Sequence, residues 1–274
     1  MDDQLLLGLA DRLRHVDGVA AVALGGSRAR GTHRPDSDVD IGLYYRGRLD
    51  VPALRRLAEE VTGVATDVTE PGGWGPWVDG GGWLTVDSWR VDWILRDLDR
   101  VTRIVGDCSA GRYEIGFQPG HPLGFYSHAY AGEVALGRTL ADPDGVLAAL
   151  KEQLAEYPAA LRTALVEGLW EAGFSLSGAR YGVAGADPAY AAGCLFRAVG
   201  VMCHAVHAAA GAWLINEKGM VAAAGRLPTA PADFARRAQA ILARVGGTPQ
   251  EMARTVDECA DLLDAVRAGC VSVR

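Results

Sequence analysis

The spacing of apolar residues changes several times along the first hundred positions, and each change marks an element. Leu5, Leu6, Leu9, Leu13 and Val16 recur at helical spacing, with Asp2 or Asp3 placed to cap the start. Val19 to Leu24 is an unbroken apolar run, read as a buried strand, and it ends on Gly25-Gly26-Ser27. A polar segment marked by Gly31 and Pro35 then leads into Asp38-Val39-Asp40-Ile41-Gly42-Leu43, a second run of strand character. Alternation along it puts Asp38 and Asp40 on one face and Val39, Ile41 and Leu43 on the core face. Asp50-Val51-Pro52 starts a helix with Leu54, Leu57, Ala58 and Val61 inward, and Val64 to Val68 reads as a short strand.

From Pro71 to Gly82 glycine and proline recur so often that no regular element is expected. Five of the seven tryptophans fall between Trp74 and Trp93. Trp83, Trp89 and Trp93 are expected to pad a sheet. Trp74 and Trp77 fit equally a mobile lid that lays an indole on a base or sugar. Trp83 to Val86 and Trp89 to Leu95 form a hairpin turned at Asp87-Ser88. Asp92 stands in its second arm between Val91 and Trp93, a costly place for an acid unless it is paired or metal-bound. Asp97 caps a helix through Leu98, Val101, Ile104 and Val105. A crossing loop spans Tyr113 to Gly124, Ser127 to Leu140 reads as helix, and Ala141 to Gly145 as a turn.

The remainder reads as helices: Val146 to Tyr157, Pro158 to about Tyr181, Asp187-Pro188 to about Gly211, then starts at Asn216, Pro231 and Thr248-Pro249. The order predicts an α/β (α+β) domain with a small mixed sheet backed by helices, followed by an all-α helical bundle. The boundary is placed at the turn, giving domains 1–142 and 143–274.

Composition narrows the function classes. A net charge of −7 speaks against duplex nucleic acid as a partner and suits a cationic small molecule. Five scattered cysteines imply no disulfide framework and fit a reducing cytoplasm. The charged N-terminus is not a signal peptide. Ala198 to Ile215, broken by His204 and His207, suits a helix buried among helices better than a membrane span. Cys203 and His207 share a helical face while His204 is turned away, so zinc is not expected there.

Candidate chemistry gathers at the second strand. Two carboxylates one strand repeat apart repel unless a cation lies between them, and hard oxygen ligands suit Mg²⁺ shared with substrate phosphates. The Gly25-Gly26-Ser27 turn offers backbone N–H groups and a hydroxyl with little obstruction, the means by which loops cradle phosphate. Arg28 and Arg30 are the cations nearest in sequence, each equally readable as a surface arginine.

Gly-Ser, a ten-residue spacer and Asp-x-Asp together resemble the motif of the DNA polymerase beta-like nucleotidyltransferase superfamily. Within it the chain looks most like the adenylyltransferases that modify aminoglycosides such as streptomycin and spectinomycin. The resemblance implies a nucleotidyltransferase domain, two Mg²⁺ ions and a nucleoside triphosphate, with ATP the expected one. It implies Asp38 and Asp40 as metal ligands and Asp92 as a third carboxylate, ligand and general base, with Asp87 the weaker match. Gly26, Ser27 and Arg28 would meet the phosphates. The stretch Gly211 to Gly219, followed by Gly225-Arg226-Leu227-Pro228, resembles the helical domain of those enzymes, in which a lysine matching Lys218 reaches the triphosphate. Arg197 supports the cleft or pairs with an acid. Glu167 and Glu171, one helical turn apart, are candidates for holding an acceptor amine. The expected acceptor is a hydroxyl of a small, cationic molecule, with antibiotic resistance as the implied setting. The alternatives are a toxin–antitoxin enzyme acting on protein or tRNA, and a non-catalytic nucleotide sensor.

Overall fold

The computed structural model describes residues 1–271, which cluster into two compact units. The first comprises Met1–Asp107 and Tyr113–Glu156; the second comprises Cys108–Arg112 and the chain from Tyr157 on. In chain order the elements up to Glu156 are α1 (Asp3–Leu13), β1 (Val19–Leu24), α2 (Gly26–Ala29), β2 (Val39–Tyr45), α3 (Val51–Thr62), β3 (Gly80–Val86), β4 (Trp89–Asp97), α4 (Leu98–Ser109), β5 (Ile115–Gly116), β6 (Phe125–Tyr126), α5 (Ala129–Leu136), β7 (Arg138–Ala141) and α6 (Val146–Gln153). The second unit is helical: α7 (Ala159–Glu167), α8 (Leu169–Ala184), α9 (Pro188–Ala209), α10 (Met220–Ala224), α11 (Phe234–Ala243) and α12 (Pro249–Val271). The expected class, a small mixed sheet with helices followed by a helical region, is the class observed.

The sheet runs β3-β4-β2-β1-β7. Its pairs are antiparallel except β2 with β4, which is parallel. Alternation sorts the strands into two faces. Val39, Ile41, Leu43, Val91, Trp93 and Leu95 are buried against Leu6, Leu9 and Leu13 of α1 and Leu54, Leu57 and Ala58 of α3. Burying an apolar face of this kind is the main favourable term holding strands and helices together. Asp2 caps α1 by accepting from Leu5 N, and Asp50 caps α3 by accepting from Ala53 N.

Four sequence expectations are corrected. Val64 to Val68 is not a strand; one backbone bond, Thr69 N to Gly81 O, ties its end to β3, and the Thr62 hydroxyl folds the chain back on itself. Gly80 to Gly82, expected to be irregular, opens β3. Side chains there would collide with Thr69 Oγ1, Trp93 O and Asp67 O, so glycine is what lets this strand lie so close to its neighbours. The helix expected to run to Leu140 stops at Leu136, and residues 138–141 pair with β1 as an edge strand. The long helix from Pro158 is broken at Gly168 into α7 and α8.

In the second unit α9 is packed by α7, α8, α10, α11 and α12. It has the length and apolarity to cross a membrane, yet 61% of that stretch is buried within the fold. Asp187 caps it by accepting from Tyr190 N.

Candidate active site

The polar face of the sheet carries the predicted acids. Asp40 in β2 stands in register with Asp92 in β4, and Asp92 stands opposite Trp83 in β3. Asp40, Asp92 and Trp83 therefore form one row across three adjacent strands. Asp38 lies one residue before β2. Its Oδ1 is 2.5 Å from Arg90 Nε, at an angle that makes no hydrogen bond, and it finds no hydrogen-bond partner elsewhere. Arg90 itself donates through Nη2 to Asp36 O at 2.7 Å.

Asp92 reports the electrostatics of this row. Burial, then the charges of Asp40 and Asp38, push its carboxyl up to about 6, against a smaller opposing pull from Arg90. Shifts produced by burial and like charges together are concentrated at functional sites.

The glycine turn is built against Asp40. Gly25 N donates to Asp40 O at 2.8 Å, and α2 begins at Gly26. Gly26 sits at φ +60°, and a Cβ there would stand 1.8 Å from Asp40 Oδ2. No other residue brings backbone so near that carboxylate. Ser27 follows in the same short turn of helix. Arg28 is turned to the loop: Nε and Nη2 donate to Ser37 O, Nε also to Asp38 O, and its guanidinium lies 4.8 Å above the Trp89 ring. It clasps the segment that delivers Asp38. Arg30 donates to Gly26 O.

The donor set suits a hard divalent cation: three carboxylates, one with an oxygen lacking any hydrogen bond, and a mutual repulsion that a cation would relieve. Among the described residues, no three His, Cys, Asp or Glu side chains already converge as a metal site. Two clefts of about 480 and 650 Å³ open beside α1, and neither includes the three acids.

Other predicted residues fall into place separately. Lys218 is exposed on a turn ahead of α10 in the second unit, its backbone N–H capped by Asn216 Oδ1, and not in a helix's first turn. Arg197 pairs with Glu171 at 2.5 Å. Glu167 ends α7 while Glu171 opens α8, so they do not share one helix as expected. Trp77 is a packing residue: it stacks on Phe125 and occupies the space left by Gly116, and Tyr130 donates its hydroxyl to Trp77 O. Trp93 is buried, whereas Trp83 is 69% exposed and stacks on Trp74 with centroids 4.5 Å apart.

Sequence reasoning missed a charged pair on the same face. Arg96, two positions beyond Ile94 in β4, is 5% exposed and forks onto Glu133 of α5 with two bonds of 2.7 Å. Its Nη1 donates to Val78 O and Leu95 O. Arg96, directly after the apolar run Trp93 to Leu95, and Glu133, the single charge of an apolar helix, were the available signals.

Residues 6–69 match the family model of the nucleotidyltransferase domain. That span holds the glycine turn, Asp38 and Asp40. Among solved structures, a nucleotidyltransferase-like protein from Exiguobacterium sibiricum 255-15 is 12% identical, over 95% of this chain and 74% of that one, with a TM-score of 0.47. No curated protein matches the chain. The family match, on the segment that carries the glycine turn and the paired acids, makes this chain a transferase of the nucleotidyl-transferring kind.

Proposed function

We propose that the enzyme moves a nucleoside monophosphate, AMP by preference, from its triphosphate to a hydroxyl of a small molecule in a divalent-metal-dependent reaction. The observation that carries the reading is the register of Asp40 with Asp92 beside a glycine turn that no side chain blocks. Asp38, Asp40 and Asp92 would hold two Mg²⁺ ions, which when bound supply positive charge at the entering and leaving oxygens. The amides at Gly26 and Ser27, with the Ser27 hydroxyl, receive the β- and γ-phosphates. Arg28 keeps the 34–38 loop in place so that Asp38 stays near Asp40. Asp92 takes the proton of the attacking hydroxyl: burial and its neighbours' charge already favour proton uptake on its carboxyl. Lys218 supplies a cation to the triphosphate. A reducing cytoplasm, a cationic acceptor such as an aminoglycoside, and a role in antibiotic resistance complete the proposal.

The test is pyrophosphate release by the purified full chain with Mg²⁺ and each of the four triphosphates. Aminoglycosides and hydroxylated metabolites are run beside purified tRNA and candidate proteins. Mass spectrometry should show one nucleoside monophosphate added to a small acceptor. Label on macromolecules alone would overturn the small-molecule acceptor in favour of a toxin-type enzyme. Nucleotide binding without transfer to anything would leave a sensor.

A further inference from the structure

The row that holds Asp40 and Asp92 does not end at Asp92. Trp83 stands directly across from it on β3, the outermost strand, about 5 Å away as paired residues of antiparallel strands are. An exposed tryptophan needs a reason when the same strand buries Leu84 and Val86 on its other face. Trp83 is also held in place. One indole face rests on Trp74, nearly parallel at 18°, and Trp74 lies over Gly81, where a Cβ would come within 2.9 Å of its ring. Gly81 thus gives up its side chain so that a second indole can lie flat on the sheet. The product is a fixed aromatic surface, still 69% open to solvent at Trp83.

Chemistry assigns a direction to the row, given the transfer site proposed above. Displacement at phosphorus is in line, so the attacking oxygen enters opposite the departing pyrophosphate. The glycine turn that would receive the pyrophosphate follows β1, on one side of Asp40. Trp83 lies on the other side, beyond Asp92. We propose that Trp83, backed by Trp74, is the acceptor-binding platform, and that it takes a hydroxylated saturated ring with an apolar face, of hexose or cyclitol type. Such a ring stacks its C–H face on the indole and presents a hydroxyl at its edge to Asp92. An ammonium on the ring gains further from the indole face and from the adjacent carboxylates. The inference rests on the reading of the carboxylates as the transfer site.

The experiment follows intrinsic fluorescence of the full chain, with Mg²⁺ and a non-hydrolysable ATP analogue, on adding streptomycin, methyl glucoside or inositol. At least one ring probe should quench the wild-type emission. Because both variants lack the reporting indole, their affinity is read by titration calorimetry: Trp83→Ala should weaken that probe's binding roughly ten-fold, the usual order for a lost aromatic stack, while Trp83→Phe recovers part of it. In turnover the loss should appear in KM for the acceptor, with the analogue's affinity kept. Equal binding by Trp83→Ala, no quenching by any ring probe, or a loss of analogue affinity instead would each overturn the platform; the last would make Trp83 a support for the base. Failure of the parent reading looks different. Ring probes would then bind through Trp83 while no acceptor in the whole panel releases pyrophosphate, which refutes transfer and with it the acceptor role, and leaves Trp83 a ring-binding surface only.

Discussion

Two charged groups ride on the same face of β4, four residues apart, and they are treated in opposite ways. Arg96 is dry and well answered: Glu133 accepts from its Nε and Nη2, two carbonyls accept from its Nη1, and Tyr130 lies beneath it at 5.3 Å. Burial works against its charge, and the Glu133 carboxylate more than offsets that, so its pKa is raised. Asp92 is half-buried among its own kind. After burial, the charges that act most on it are those of Asp40 and Asp38, and the opposing Arg90 is a lesser influence. A pair that satisfies itself holds a fold together. A set of like charges held close by the backbone carries a cost, which the divalent ions of the proposed reaction would relieve.

The comparison breaks most sharply by mutation of the acids. Asp40→Asn and Asp38→Asn should each abolish transfer, and Asp92→Asn should lower kcat by about 10²–10⁴-fold with triphosphate affinity kept. Circular dichroism should show all three folded, and near-normal turnover in either of the first two would refute their role. Arg96→Ala should do the reverse, removing stability first: a buried pair that loses one partner costs about 3–5 kcal/mol, read as a lower urea midpoint. Lys218→Ala should weaken triphosphate binding by roughly 1.5–3 kcal/mol and spare the acceptor, as titration calorimetry can resolve.

The smallest effect is a pH dependence. A carboxyl raised to about 6 in the fold binds protons that the unfolded chain has already released, so stability falls as pH rises from the ordinary carboxylate value through 6. Asp92→Asn escapes this. In metal-free buffer the variant should be the more stable protein above pH 6, by about 1–2 kcal/mol once solvent screening is allowed for, with no advantage below about pH 4. Thermal melts across that range check it, and a variant less stable at pH 7 would contradict the sign.

Much of this was legible in the sequence because it is local. The apolar run at 19–24, the alternation at 39–43 and the Asp87-Ser88 turn, both residues at positive φ, each fix an element from neighbouring residues alone. Asp40 and Asp92 stand out in the sequence because Val91 and Trp93 flank Asp92 as Val39 and Ile41 flank Asp40. What stayed hidden depends on partners distant in sequence. Gly80 to Gly82 reads as a breaker until Thr69 and Asp67 are seen pressed against it. Residues 138–141 read as helix until Leu24 offers an open edge. Trp83 reads as padding because its exposure is decided by which face of the hairpin meets α1 and α3. Glu171 reads as a free acid until Arg197, 26 residues on, claims it.

The parallel ladder between β2 and β4 has a consequence for how the chain avoids error. A slip of one residue in a strand turns every side chain to the opposite face. Here it would send Trp93 and Val91 into water and drive Asp92 among the leucines, a penalty no alternative pairing repays. The hydrophobic core thus penalises any slip that would take Asp92 off the face of Asp40. The burial that holds the sheet together also keeps the two acids on one side of it.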